Sequence, residues 1–375
     1  MAFRLESVVR EVGGEREIHE TDLDFVPGAL NLLLGPTGAG KTSLLRILAG
    51  LDRPSAGRLL RGADDLTGAR LRQRSVAMVY QSFVNYPSFT VFDNIAAPLR
   101  RAGTARAEVE RRVRETAALL HIDSLLDRLP SELSGGQQQR TALARALVKD
   151  AELLLLDEPL VNLDYKLREE LREELRHLFG AGKATVVYAT TEPLVALSLG
   201  DRVAVIDAGR VLQSGPTLEV YHAPASMRVA QVFSDPPMNL IEGSVGAGRA
   251  TLFGALAVPL AGHLAGLAAG SYRFGIRASH LFLARQNASD CSFAGRVELA
   301  EISGSETFVH LQAGNADVVV QAEGVHSLAL GEERPFFFDP ARLFVFAPDG
   351  ALVATPQRRP APPPEASGAR GTGHG

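Results

Sequence analysis

The stretch Gly35-Pro36-Thr37-Gly38-Ala39-Gly40-Lys41-Thr42 decides how the chain is read. Its spacing, a Gly, four intervening residues and then Gly-Lys-Thr, is that of a phosphate-binding loop. It follows the apolar run Leu30 to Leu34 and precedes the helix-like Ser43 to Leu48, the strand–loop–helix setting that such a loop requires. Glycines let successive backbone N–H groups point inward around phosphate oxygens. The following helix N-terminus adds partial positive charge. Lys41 is placed to neutralise the β- and γ-phosphates of a nucleotide, and the Thr42 hydroxyl can bind Mg²⁺. Gly35, Pro36, Thr37, Gly38, Ala39, Gly40, Lys41, Thr42 and Ser43 are therefore the expected nucleotide cradle.

A second segment supplies the chemistry that a phosphate cradle lacks. Leu153-Leu154-Leu155-Leu156 is a buried-strand pattern, and Asp157-Glu158 emerges at its end. Asp157 would hold Mg²⁺ directly or through water, and Glu158 would polarise the attacking water. Alone, four leucines and two acids describe a strand meeting solvent. Beside a phosphate loop the roles agree.

The first 235 residues alternate short apolar runs with helical patterns. Leu30 to Leu34, Val76 to Tyr80, Leu153 to Leu156, Thr185 to Tyr188 and Val203 to Ile206 have strand length. This predicts an α/β domain with a largely parallel, buried sheet. Arg106 to Leu120 reads as an amphipathic helix with Val109, Val113, Ala117 and Leu120 near one face. Arg168 to Arg176 mixes acids and bases and reads as a solvated helix face. Near Asp235-Pro236-Pro237 the texture changes. Ser244 to Val245, Thr251 to Phe253, Tyr272 to Ile276, Gly295 to Leu299, Thr307 to Leu311, Asp317 to Val320 and Arg342 to Phe346 suggest a β-rich barrel or sandwich. The expected division is residues 1–235, with a helical subdomain at about 85–150, then 236–355, then a disordered tail at 356–375 lacking core formers.

Composition narrows the class further. The balance of 39 Lys+Arg against 43 Asp+Glu argues against a nucleic-acid scaffold. One cysteine, Cys291, rules out an intramolecular disulfide and fits a reducing compartment. The segment Met1 to Ser7 has no apolar core of a secretory signal. No unbroken apolar run approaches the ~20 residues of a spanning helix, so any membrane role is expected to be peripheral.

Between the two phosphate-site segments lies Leu133-Ser134-Gly135-Gly136-Gln137-Gln138-Gln139-Arg140, ahead of an amphipathic helix marked by Thr141, Leu143, Ala144 and Leu147. This is another anion site at a helix N-terminus. One nucleotide does not need two, so the economical reading is service to the nucleotide of a second subunit. Here the sequence resembles the ATPase subunits of ATP-binding cassette transporters, whose signature is this Leu-Ser-Gly-Gly-Gln. The order phosphate loop, Gln81, signature, Asp157-Glu158, Leu163-Asp164 also resembles that family's. The resemblance implies a P-loop fold, with a RecA-like core plus helical subdomain, ATP and Mg²⁺ as cofactors, and a head-to-tail cassette dimer. It implies that Gln81 contacts Mg²⁺ and the attacking water. It further implies that Ser134, Gly135, Gly136 and Gln137 bind the partner's nucleotide and that Asp164 links the two sites.

The C-terminal region resembles the OB/TOBE-type extension of carbohydrate-importer ATPases. Gly275-Ile276-Arg277 with His280-Leu281, Gly304-Ser305-Glu306-Thr307, and Phe338-Asp339-Pro340-Ala341-Arg342-Leu343 carry this likeness. Tyr86 to Val91 and Asn162 to Leu171 look most like the glycerol-importer branch. The implied role is the ATP-hydrolysing subunit of a sugar or polyol importer, such as one for glycerol or glycerol-3-phosphate. It would sit at the cytoplasmic face of the cell membrane, with integral permease subunits, a second cassette and, indirectly, a solute-binding protein. Phe83 to Asn94 is the expected permease-facing surface. The alternatives are a partly degenerate cassette that mainly binds ATP beside a more active one, or a soluble regulatory cassette protein.

Two positions depart from the family pattern. After the strand Thr185 to Tyr188, the switch position expected to be His is Thr191. A threonine hydroxyl donates a hydrogen bond but is short and uncharged. Two readings stay open: hydrolysis that is slow or partner-dependent, or near-normal activity through compensation, with Glu158, Gln81 and Thr191 as the catalytic set. The family also stacks an aromatic on adenine, whereas here Val12-Gly13-Gly14 offers only aliphatic contact. Phe3 and Phe25 are expected in the core, Cys291 as a small buried residue, and His280 and His310 as structural histidines.

Overall fold

The computed structural model describes residues 2–69, 74–82, 84–160, 165–180 and 184–357. Asp164 and the tail from 358 lie outside them. The chain divides into two compact units, one ending at Met238 and one beginning at Asn239.

The first unit runs β1 (Phe3–Val12), β2 (Glu15–Phe25), β3 (Leu30–Leu34), α1 (Lys41–Ala49), β4 (Ala56–Arg61), β5 (Asp64–Asp65), β6 (Val76–Val79), α2 (Val91–Arg101), α3 (Arg106–Leu119) and α4 (Gly135–Leu147). It continues with β7 (Leu153–Asp157), α5 (Tyr165–Gly180), β8 (Thr185–Thr190), α6 (Pro193–Leu199), β9 (Arg202–Asp207), β10 (Arg210–Pro216), α7 (Thr217–His222) and α8 (Met227–Val232). A six-stranded sheet has the order β10-β9-β3-β8-β7-β6 and is parallel except for the β9–β10 hairpin.

Alternation along its strands feeds two cores. Leu32 and Leu34 of β3, with Leu154 and Leu156 of β7, face the cluster that also holds residues of α2, α3 and α4. Leu33 of β3, with Leu153 and Leu155 of β7, faces a cluster built from α1 and the β1-β2-β4 sheet. A sheet covered on both sides needs continuous apolar strands, which is why these segments read as unbroken leucine runs. Phe3 and Phe25 are buried in the second cluster, as expected. Val109, Val113, Ala117 and Leu120 form the buried side of α3 and its end.

Helix α5 carries the expected solvated face at Glu169, Glu170, Glu173 and Arg176, and a buried face besides. Leu171 and Leu175 are fully buried. Arg168 and Arg172 reach across to Glu192 at the start of α6, with N–O distances of 3.4 and 3.1 Å. The charged run hid an i,i+4 leucine pair that is the core-facing stripe.

Among its described residues the second unit is β-structured apart from short 3₁₀ turns. It comprises β11 (Asn239–Gly246), β12 (Arg249–Leu252), β13 (Leu256–Pro259), β14 (Gly270–Ile276), β15 (Leu281–Phe282), β16 (Cys291–Ser303), β17 (Glu306–Ala313), β18 (Ala316–Glu323), β19 (Glu333–Phe338), β20 (Phe344–Phe346) and β21 (Leu352–Ala354). Two antiparallel sheets, β13-β12-β11-β14-β20-β21 and β15-β19-β16-β17-β18, close on one core with Phe274, Phe293, Phe336 and Phe338. Phe293 stacks on Phe253 at 4.4 Å between ring centroids. Cys291 is half-buried rather than buried.

Candidate active site

Three parallel strands end side by side and set the site. Leu34 at the end of β3 is in register with Thr190 of β8, and Ala189 of β8 with Asp157 of β7. The chain leaving β3 becomes the phosphate loop, that leaving β8 carries Thr191, and that leaving β7 carries Glu158. Backbone bonds extend this alignment past the strands. Gly35 N–H donates to Thr190 O at 3.3 Å, and Glu158 N–H to Ala189 O at 3.1 Å.

The loop geometry demands glycine at two positions in particular. A Cβ on Gly35 would lie 2.1 Å from Ile206 O at the end of β9. Gly40 has φ 100° and packs against Ile18 of β2. Helix α1 then opens at Lys41, so its first backbone N–H groups face the loop, where a phosphate would satisfy them.

Lys41 is buried and donates from Nζ to Gly35 O at 2.7 Å and Pro36 O at 3.0 Å. Its Nζ is also 3.8 Å from Glu158 Oε1. Burial lowers its pKa, opposed by the charges of Glu158 and Asp157. Thr42 Oγ1 donates to Asp157 Oδ2 at 2.9 Å. Gln81 Nε2 donates to Glu158 Oε2 at 3.1 Å. Lys41, Thr42, Gln81, Asp157 and Glu158, from three separate stretches of sequence, therefore meet where the parallel strands end. Burial is the main reason both acids sit above the ordinary carboxylate range, with Lys41 pulling each back down. Glu158 also holds φ 46°, a left-handed conformation that side chains rarely adopt. Such backbone strain concentrates at functional sites.

Thr191 is half-buried and lines a small crevice with Glu158, Tyr188, Arg172 and Glu192. The preceding Thr190 accepts from Glu192 N–H at 3.0 Å, which fixes the turn into α6. Thr191, expected at the switch position, thus shares this crevice with Glu158.

The signature segment is placed elsewhere. Ser134 is the N-cap of α4: its hydroxyl accepts from Gln137 N–H at 3.4 Å, and Gln137 Oε1 accepts from Ser134 N–H at 2.9 Å. Ser134 and Gly135 are exposed. Among the described residues no hydrogen bond or ion pair joins Ser134, Gly135, Gly136 or Gln137 to the phosphate loop. Buried Gln139 donates to Pro159 O and so ties this helix to the turn after Glu158.

Sequence reading missed several organising residues. Asn94 is fully buried and binds the backbone of Tyr86, Phe89 and Thr90. Arg145 of α4 donates to Val84 O and lies 4.9 Å from the Tyr86 ring centroid. These contacts shape an open cleft of about 930 Å³ lined in part by Met78, Tyr80, Tyr86, Phe89 and Arg101. Glu17 was also missed, and it bonds Ser43 inside the cradle. Arg145 and Glu17 reach partners far away in sequence, and Asn94 reaches back four to eight residues, with no motif to mark these bonds. Val12 ends β1 exposed, at a turn through Gly13 and Gly14.

A lysine-bearing phosphate loop, a hydroxyl–carboxylate pair and a second carboxylate within reach of a glutamine define a nucleotide-hydrolysing P-loop enzyme. A family model described as ABC transporter matches residues 18–161, and one described as TOBE domain matches 274–346. The sn-glycerol-3-phosphate import ATP-binding protein UgpC 3 of Rhizobium etli is 38% identical over 341 residues, covering 91% of this chain and 93% of that protein. The trehalose/maltose import ATP-binding protein MalK of Thermococcus litoralis is 38% identical over 367 residues, covering 92% and 96%. A solved dimeric ATP-binding cassette in a post-hydrolysis state bound to ADP and Pi superimposes with a TM-score of 0.53 at 28% identity, covering 57% of this chain and 98% of that one. The chain belongs to the ABC transporter family, among its ATP-binding import subunits with a TOBE domain, and it is an ATPase. The readings as a soluble regulatory cassette or a mainly ATP-holding subunit are not favoured by these relatives.

Proposed function

We propose that this chain powers the import of a sugar, polyol or polyol phosphate, at the cytoplasmic face of a membrane, by ATP-driven closure of a cassette dimer. The observation that carries the reading is the meeting of Lys41, Thr42, Gln81, Asp157 and Glu158 at the ends of adjacent strands. The names of the relatives, import proteins for sn-glycerol-3-phosphate and for trehalose/maltose, support the substrate class.

Thr42 and Asp157 offer two hard oxygen donors 2.9 Å apart, a donor set that suits Mg²⁺ together with phosphate oxygens and water. Bound there, the ion would neutralise charge on the β- and γ-phosphates. Thr42, Asp157 and Gln81 are its proposed holders. Lys41 exchanges its carbonyl partners for the phosphates, with Gly35 to Ser43 supplying the cradle. Glu158 takes the proton of the attacking water at its carboxylate, and Gln81 orients that water from the other side. Thr191 is proposed as a hydroxyl donor near the γ-phosphate. Ser134, Gly135, Gly136 and Gln137 would serve the opposite subunit's nucleotide, and Asp164 would connect the two sites.

Among the described residues no helix is long and apolar enough to cross a membrane. The proposed route to the membrane is a permease helix seated in the cleft beside Tyr86 and Phe89, with a solute-binding protein delivering cargo from the far side. The test is Glu158→Gln with saturating ATP and Mg²⁺, followed by light scattering. A stable ATP-bound dimer is expected, and a monomer at all ATP concentrations would contradict the reading.

A further inference from the structure

Glu17 stands beside the phosphate cradle, against the first turn of α1. Its Oε1 accepts from Ser43 Oγ at 2.5 Å, and its Oε2 accepts from Arg10 Nε at 2.7 Å. Ser43 is the third residue of α1, two after Lys41, in the first turn that receives phosphate. The backbone around Glu17 walls the loop from outside: Ile18 packs on Gly40, and His19 N–H donates to Gly209 O, whose own N–H donates to Ala39 O. The Glu17 side chain is 40% exposed, so its carboxylate faces both the cradle and solvent.

A carboxylate here does not suit a phosphate, because like charges repel. It suits the next part of a nucleotide. The ribose follows the α-phosphate by one ester oxygen, and its vicinal hydroxyls donate the hydrogen bonds that a carboxylate accepts. Acidic side chains read ribose hydroxyls in this way in dinucleotide sites. Each Glu17 oxygen keeps a second lone pair beyond its present partner. Arg10 is itself anchored to Asp52 at 3.1 Å and to Arg53 O at 3.2 Å, so it holds the carboxylate and balances its charge near the phosphates. Val12, at the adjoining hairpin end, offers no ring to stack on a base. Selectivity at this end of the site then falls to the sugar.

We infer that Glu17, positioned by Arg10 and Ser43, is a specificity-determining residue that binds the ribose hydroxyls of the nucleotide. This rests on ATP binding at the phosphate loop. The test is equilibrium binding of ATP, 2′-deoxy-ATP and 3′-deoxy-ATP to the full chain, its Glu17→Ala variant and its Ser43→Ala variant. Wild type is expected to hold at least one deoxy analogue about ten- to a hundredfold more weakly than ATP, the value of a hydrogen bond to a charged group. Glu17→Ala is expected to hold all three alike, and Ser43→Ala, which removes one of the two bonds that position the Glu17 carboxylate, to narrow the gap between ATP and the deoxy analogues. Equal binding of the three nucleotides by wild type, or discrimination that survives Glu17→Ala, would overturn the assignment. Failure of wild type to bind any of them would overturn the cassette reading itself, and this inference with it.

Discussion

Lys41 Nζ lies 3.8 Å from Glu158 Oε1 while it donates to two carbonyl oxygens of its own loop. The cation proposed to meet phosphate and the acid proposed to activate water are thus held side by side. Lys41 offsets part of the cost of burying Glu158 and Asp157 and does not cancel it, because burial is the larger influence on both acids.

The acid limb of hydrolysis should therefore lie above the usual glutamate value of 4.5. Burial favours the neutral form of Glu158, so its pKa rises, and the ionised base is lost earlier as pH falls. The pH profile of kcat/KM reads the free enzyme's base. A rate that stays flat down to pH 4.5 would contradict the placement of Glu158.

Gly35→Ala should damage both fold and site. The added Cβ would meet Ile206 O at 2.1 Å, so β9 or the phosphate loop must shift. Overpacking of this kind costs about 1–3 kcal/mol, visible as a lower Tm. ATP affinity should fall as well, because the displaced segment is the cradle. A variant with unchanged Tm and ATP affinity would show that the close approach is absent.

Asn94→Ala should loosen the loop that lines the cleft. The side chain binds Tyr86 N–H and the carbonyl oxygens of Tyr86, Phe89 and Thr90 from a fully buried position. Leaving such groups unpaired costs about 1–3 kcal/mol. Hydrogen exchange at Tyr86 to Thr90 should speed up while ATP affinity of the isolated chain is kept. Permease-stimulated hydrolysis should drop.

In the TOBE unit, His280 should make stability pH-dependent. Burial first, and then the charges of Arg342 and Arg277, push its pKa down to about 4 from 6.5, with Asp339 opposing. The unfolded chain takes up a proton near pH 6.5, whereas the folded one resists until about pH 4. Stability is complete above pH 6.5 and is lost as pH falls to about 4, by at most on the order of 3 kcal/mol. Urea unfolding at pH 7 and pH 4.5 measures this, and His280→Asn should show a smaller drop.

The parts of the site that are contiguous in sequence were legible there. Gly35 to Thr42 and Leu153 to Glu158 each combine a local motif with the element that displays it, and the leucine runs of β3 and β7 announce a sheet buried on both faces. Contacts made across the fold were not legible. Glu17 meets Ser43 over 26 positions, and Arg172 meets Glu192 over 20. In α5 the dense charge masked Leu171 and Leu175. Strand β19, Glu333–Phe338, escaped notice because Pro335 interrupts its pattern and charged residues open it. Helix α3 and strand β3 emerged within a residue of their expected bounds because a single face, or full burial, dictated every position.

The central claim is that Glu158 is the base for ATP hydrolysis in this cassette. Single-turnover phosphate release by wild type and Glu158→Gln, with ATP affinity measured in parallel, tests it most directly. The expected result is a fall in rate of at least about 10²-fold with ATP affinity kept within a few-fold. Hydrolysis at the wild-type rate in Glu158→Gln would contradict the account.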